Sequence, residues 1–199
     1  MPKQFANLTK NSSVPDVAGG VLWQDEVNKV FWLYGGEFAQ VPSSFQLWGY
    51  DVILNQWNLS TASTVSTAPI QRVSYGAGVA SSAIGQGFYY GGYLNNLTNP
   101  LWTGPQMATS NLLIFDMDGN SLSNNSGYDD TGRAEGTMVY IPASGAGLLI
   151  YFGGVTFPYG NETEVAVRCF IEPNMYLRTA TDLAIGDIGH HSDLRHWRR

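Results

Sequence analysis

Cysteine is nearly missing: Cys169 is the only one in 199 residues. No internal disulfide can form, and thiols do not reveal the redox compartment. Charged side chains are scarce at 13%, about half the usual share. What charge there is sums to −6, which speaks against the basic face that a nucleic-acid partner requires. No apolar run reaches the roughly 18 residues of a membrane helix, so no span is expected within this chain. The first histidine is His190. Neither a nucleophile elbow nor a phosphate-cradling glycine loop occurs. GAGVAS (Gly76 to Ser81) resembles such a loop superficially, but it lies in a predicted strand that no helix follows.

Glycine (23 residues) and aromatics (13%) are plentiful, which points to an all-β protein built on turns and ring packing. Three segments share one local grammar. VFWLYGG ends at Gly35 and Gly36, GFYYGG at Gly91 and Gly92, and LLIYFGG at Gly153 and Gly154. Each apolar run predicts a buried strand, and the paired glycines let the backbone turn where side chains would clash. One such match means little, but three at similar spacing indicate a repeat. Upstream, AGGVLW, SYGAGVASSAI and AEGTMVYIPA each precede their glycine pair by a comparable distance. Arg72 and Arg133 read as equivalent positions before Gly76 and Gly136. Downstream, Tyr50 and Asp51 are followed by Trp57, while Phe115 and Asp116 are followed by Leu122. Each unit thus reads as four short antiparallel strands, A to D, the makings of one propeller blade.

The combination of Gly-Gly, Tyr-Asp and Trp at fixed offsets resembles the kelch repeat over residues 4–165. The first unit carries the complete pattern, and the third stops after Gly154. The resemblance implies a kelch-type β-propeller, incomplete here: an outer strand of a preceding or closing blade (1–16), blades at 17–66 and 67–130, a partial blade (131–167) and an atypical tail (168–199). Propellers close with about 4–8 blades, so the chain is expected to be a piece of a longer ring whose end blades expose apolar faces and self-associate. Within the family, the aromatic, low-charge style is similar to extracellular fungal members, which often precede a membrane or wall anchor.

Acceptor triplets for N-glycosylation stand at Asn7, Asn11, Asn58, Asn96, Asn124 and Asn161. Chance predicts about two among fourteen asparagines, so the excess favours the secretory route. The segment MPKQFANLTK lacks the apolar core of a signal peptide, so this reading presupposes an incomplete N-terminus. From Arg168 onward the strand pattern fades, and all three histidines and five of seven arginines appear. The tail reads as the product of a shifted frame or misassigned splice site.

Alternation places the B–C loops and D–A segments on one face, and recognition usually sits on such loops. Phe38, Tyr93, Trp102, Phe157 and Tyr159 are candidate contacts there, unless they pack onto their own loops. Arg72 and Arg133 are candidates to line a channel mouth and hold an acidic side chain, or else to pair with a neighbouring blade's carboxylate or backbone. The expected function is non-catalytic binding of a protein or glycan, with neither the ligand nor any cofactor identified. One alternative is a fragment without independent function. Another is a relative of galactose oxidase, although its histidine ligands are missing from the blades and Cys169 lies in the tail. His190, His191 and His196 with Asp187 mimic a metal cluster, but adjacent histidines point apart and the segment has no scaffold. The carboxylate pairs Asp25/Glu26, Asp129/Asp130 and Glu162/Glu164 fall in predicted turns, where acids commonly cap.

Overall fold

A computed structural model describes residues 10, 12–39, 46–127, 130–143 and 147–156, together with the backbone of two short strands at 166–167 and 175–176. No helix occurs among the described residues. The first sheet holds β1 (Val17–Asp25), β2 (Val30–Phe38), β3 (Trp48–Asp51) and β4 (Gln56–Leu59), antiparallel and in chain order. Its hairpin turns are built by aspartates. Asp25 accepts hydrogen bonds from the backbone N–H and side-chain amide of Asn28 at 2.9 and 2.8 Å, which steers Lys29 into the left-handed region at φ 59°. Asp51 accepts from the N–H groups of Ile53 and Leu54, both at 2.8 Å, ahead of Asn55 at φ 57°. The motif aspartate therefore folds the C–D turn. The tyrosine before it lies opposite Trp57 across the strand pair, ring centroids 5.3 Å apart.

A short strand, β5 (Ser63–Thr64), leaves the first blade and joins the second sheet. That sheet contains β6 (Ala77–Ser81), β7 (Gln86–Tyr90), β10 (Leu112–Asp116) and β11 (Ser121–Asn125), in the order β5-β11-β10-β7-β6. Here β5 pairs parallel to β11, while the other pairs are antiparallel. Asp116 repeats the turn device, accepting from Gly119 N–H at 2.8 Å with Asn120 at φ 46°. Phe115 lies opposite Leu122, the register that Tyr50 and Trp57 occupy in the first blade. Between β7 and β10 the chain forms a small hairpin of β8 (Tyr93–Leu94) and β9 (Met107–Ala108).

The third blade consists of β13 (Thr137–Ile141) and β14 (Leu148–Phe152), with β17 (Met175–Tyr176) on the free edge of β14. Within the atypical tail from Arg168 onward, the two residues of β17 occupy the third-strand slot of the blade. An unpaired edge presents N–H and C=O groups that a short extended segment can satisfy without the usual motif. A further small sheet joins β12 (Arg133–Ala134), β15 (Val155–Thr156) and β16 (Ala166–Val167).

The three glycine-pair strands thus lie in three separate sheets, packed face to face. Alternation along β7 explains the packing. Tyr89 points toward the first blade and meets Tyr34 edge-on at 4.9 Å. Phe88 and Tyr90 point the other way, onto Tyr140 at 5.9 Å and Tyr151 at 5.4 Å. Between blades one and two, Trp23 is fully buried, stacked on Tyr34 at 5.2 Å and Phe115 at 5.8 Å. Its indole N–H donates to Phe88 O at 3.0 Å.

The glycine pairs make the joints between blades. Gly36 N–H donates to Val73 O at 2.8 Å, and Gly92 N–H donates to Arg133 O at 2.7 Å. A Cβ on Gly91 would sit 2.2 Å from that Arg133 carbonyl, and Gly91 has φ 68°. These joints also correct the expected equivalence of the two arginines: Val73, not Arg72, occupies the place of Arg133. The approaches to Gly76 and Gly136 differ by one residue in where they carry arginine, so the two side chains leave opposite sides of the backbone.

On the sides turned away from blade two, both end sheets leave apolar side chains partly exposed. Leu22 (57% exposed), Phe31 (41%) and Leu59 share one face of blade one, and Val139 and Ile141 share the far face of blade three.

Candidate binding face

The B–C and D–A segments do meet, held by a polar hub. Asn95 Oδ1 accepts from Leu97 and Thr98 N–H, and Thr98 Oγ1 donates back to Asn95 O at 3.0 Å, which closes a tight turn after β8. The Asn95 amide then donates to Glu37 Oε1 at 2.7 Å and to Gln106 Oε1 at 3.2 Å. Ser74 Oγ donates to the same Glu37 oxygen at 3.2 Å. Phe38 N–H donates to Leu97 O at 3.0 Å. The long loop of blade two is thereby pinned to the first loop of blade one.

Phe38 and Tyr93, two of the five expected contacts, and both arginines are engaged in the fold. Phe38 is buried under the Arg72 guanidinium, 4.0 Å from its ring centroid, a cation–π contact. Arg72 is buried too. Its Nη2 donates to Gln46 O at 3.3 Å, while Nε and Nη1 have no partner, and desolvation lowers its pKa to about 10. Arg133 donates to Tyr90 OH at 3.2 Å and Thr131 O at 3.0 Å. Both arginines thus donate to backbone carbonyls of nearby segments, and Arg133 also to a tyrosine hydroxyl. Tyr93 is buried, packs on Tyr75 at 6.4 Å and donates to Glu135 at 3.1 Å. Burial, and then the nearby Glu135 carboxylate, push its phenol well above the ordinary range. Phe157 and Tyr159 lie outside the described residues.

Trp102 is different. It is half-buried, its indole N–H donates to Pro105 O at 2.9 Å, and it walls a cleft of about 320 Å³. Tyr34 and Tyr89 form the aromatic floor, with Gln71, Thr109, Asn111 and Asn124 among the polar lining. Tyr34 OH donates to Gln71 O at 2.7 Å, and Tyr89 OH accepts from Gly76 N–H at 2.7 Å. Burial raises both phenols far above their usual pKa, so they stay neutral. Among the described residues, no carboxylate, amine or guanidinium lines the cleft. The volume falls within the range of small-ligand sites.

No family model matches the chain. The solved structure of YjhT superposes with a TM-score of 0.51 at 16% identity, covering 75% of this chain and 37% of that one; at this identity the likeness speaks for the fold alone. A kelch repeat-containing protein of Arthroderma benhamiae is 28% identical over 196 residues, covering 78% of this chain. The chain has the fold of a kelch-type β-propeller, incomplete, and is similar to this kelch repeat-containing protein. It spans 29% of the length of this curated relative.

In the kelch frame, the motif residues sort into joints (Gly35, Gly36, Gly91, Gly92), turn builders (Asp51, Asp116) and cross-strand packing (Tyr50, Trp57, Phe115). Gly153 and Gly154 repeat the left-handed pair, at φ 62° and 81°. Among the acceptor asparagines, Asn58 and Asn96 are exposed. Asn124 instead braces the cleft, donating to Pro69 O at 2.9 Å and accepting from Asn111 at 2.8 Å. Asn7, Asn11 and Asn161 lie outside the described residues, as do Cys169 and the histidine cluster. Of the carboxylate pairs, Asp25 is committed to its turn, while Asp129, Glu162 and Glu164 also lie outside. No group of three or more His, Cys, Asp or Glu among the described residues could hold a metal ion. Sequence reasoning found Trp102 but missed Gln71 and Asn111, which carry no motif and come together only through blade packing.

Proposed function

We propose that this kelch chain is part of a non-catalytic recognition propeller of a secreted or cell-surface protein. It binds a protein or glycan on the face where B–C loops and D–A segments meet, and nucleic acid is not its partner. The observation that carries the reading is the neutral, aromatic-walled cleft between the D–A segment before β6 and the long loop of blade two. Loops tied to a rigid sheet scaffold suit recognition, because little ordering remains to oppose binding. The open apolar faces of the end blades support membership in a larger ring, as does the 29% coverage of the relative. The six acceptor triplets, two of them exposed among the described residues, support the secretory route.

Binding of the immobilised chain to extracellular protein and glycan arrays tests the face. Loss of the bound signal in Trp102→Ala supports it, and an unchanged signal removes it. Mass spectrometry of the native protein tests the route: glycans are expected at Asn58 and Asn96, and unmodified asparagine at both positions would count against secretion.

A further inference from the structure

We infer that the Trp102 cleft takes a neutral saccharide, a narrower claim that rests on the recognition reading above. Three features of the cleft select this chemistry. First, among the described residues its lining holds no ionisable group that is charged near neutral pH: the titratable ones there are tyrosines, and both phenols are held neutral. An anionic or cationic ligand would lose its hydration and gain no counter-charge. The net charge of −6 adds a general repulsion against anions.

Second, the lining carries both chemistries. Tyr34, Tyr89, Leu113 and Trp102 supply apolar surface, and Gln71, Asn111 and Thr109 supply polar groups. A pyranose ring offers the same mixture, with C–H groups on its faces and hydroxyls at its edge. A purely apolar guest would desolvate the amides without replacing their bonds to water.

Third, hydrogen-bonding capacity is left open where hydroxyls would arrive. Among the described residues, the Gln71 side-chain amide has no hydrogen-bond partner, its backbone carbonyl alone accepting from Tyr34 OH. Asn111 spends one donor on Asn124, which leaves its carbonyl oxygen available. A carboxamide both donates and accepts, as a sugar hydroxyl does. Asn124, by contrast, is already used at both ends, to Pro69 and Asn111, and acts as a brace that fixes Asn111 in place.

The test titrates the full chain with neutral gluco-, galacto- and manno-oligosaccharides and with oligogalacturonate, read by tryptophan fluorescence and calorimetry. At least one neutral series is expected to bind, with oligogalacturonate weaker. Trp102→Ala should weaken binding by about tenfold or more, as for loss of an aromatic anchor. Gln71→Ala should weaken it by a smaller factor, and Ile53→Ser, on an exposed turn, should leave it unchanged. Near-UV circular dichroism confirms that each variant is folded, and Gln71→Ala carries the test should Trp102→Ala not fold. Neutral saccharides that fail to bind, or that bind equally well to both cleft variants, overturn the inference. Should a protein on the arrays bind through Trp102 while every saccharide fails, the saccharide is refuted and the recognition reading stands. Should no ligand of any class depend on this face, both fall.

Discussion

Trp23 and Leu22 are neighbours on β1 that face opposite ways, and the propeller packing assigns them opposite energetics. Trp23 is sealed between blades one and two against Tyr34 and Phe115, whereas Leu22 lies on the open face. Trp23→Ala deletes a fully buried indole, opens a cavity between two sheets and strips Phe88 O of a donor. A loss of about 4 kcal/mol is expected for such a truncation. At this chain length each kcal/mol moves Tm by about 2–4 °C, which gives a fall of about 8–16 °C. Leu22→Gln should stay within about 0.5 kcal/mol of the parent. Urea denaturation at low protein concentration measures both. Sedimentation adds a second readout: the parent should self-associate through its end faces, and Leu22→Gln combined with Phe31→Gln should weaken that association. Equal losses for the two single substitutions would refute the assignment of faces. A monodisperse parent at high concentration would refute the claim that the end faces are exposed.

The motif aspartates offer a second test. Asp51→Ala removes the acceptor of two backbone N–H bonds and should cost about 1–3 kcal/mol in denaturant titration; Asp51→Asn, which can rebuild the turn, should recover part of the loss. The glycine joints give a third. Gly91→Ala drives a methyl into Arg133 O, while a Cβ on Gly153 meets nothing within 4 Å. Gly153→Ala should therefore show only left-handed strain of about 1–2 kcal/mol, and Gly91→Ala clearly more. A fourth follows from the buried phenols. The Tyr151 pKa is raised to about 12, chiefly by burial, and Tyr34 and Tyr89 lie higher still. Raised pKa values favour the folded state fully below pH 10, and that contribution is lost as pH climbs through about 12, because the unfolded phenols ionise first. Absorbance titration should show a group of tyrosines that ionise only as the protein unfolds; smooth ionisation of all of them near pH 10 would contradict the packing.

Much of the scaffold was legible because its signals are local. A glycine pair closing an apolar run, or an aspartate two or three residues before the N–H groups it accepts from, is written in contiguous residues. Alternation along GFYYGG also follows from the sequence, although only the packed sheets show that both sides of that strand meet aromatic neighbours. What could not be read was anything decided between blades. Arg72 and Arg133 look matched by eye, yet a one-residue difference in spacing sends them to unlike surroundings, and only the Gly36 and Gly92 hydrogen bonds reveal the register. Ser63 and Thr64 read as loop because their partners lie nearly sixty residues onward. Met175 and Tyr176 lack the Tyr-Asp signature and pair by filling an edge. The cleft draws on residues from Tyr34 to Asn124, so no window of sequence contains it.

The short strand at Ser63–Thr64 has a consequence for how such chains can be cut and rejoined. These two residues belong to the first repeat by sequence and to the second by hydrogen bonding, with Ser60 and Asn120 adding a side-chain tie at the same seam. The repeats overlap like roof tiles. A splice at the sequence boundary would bare the rim of the neighbouring sheet, whereas one through the exposed turn at 52–55 would carry each overlap intact, so exchange of blades between related chains should succeed at turns and fail at boundaries.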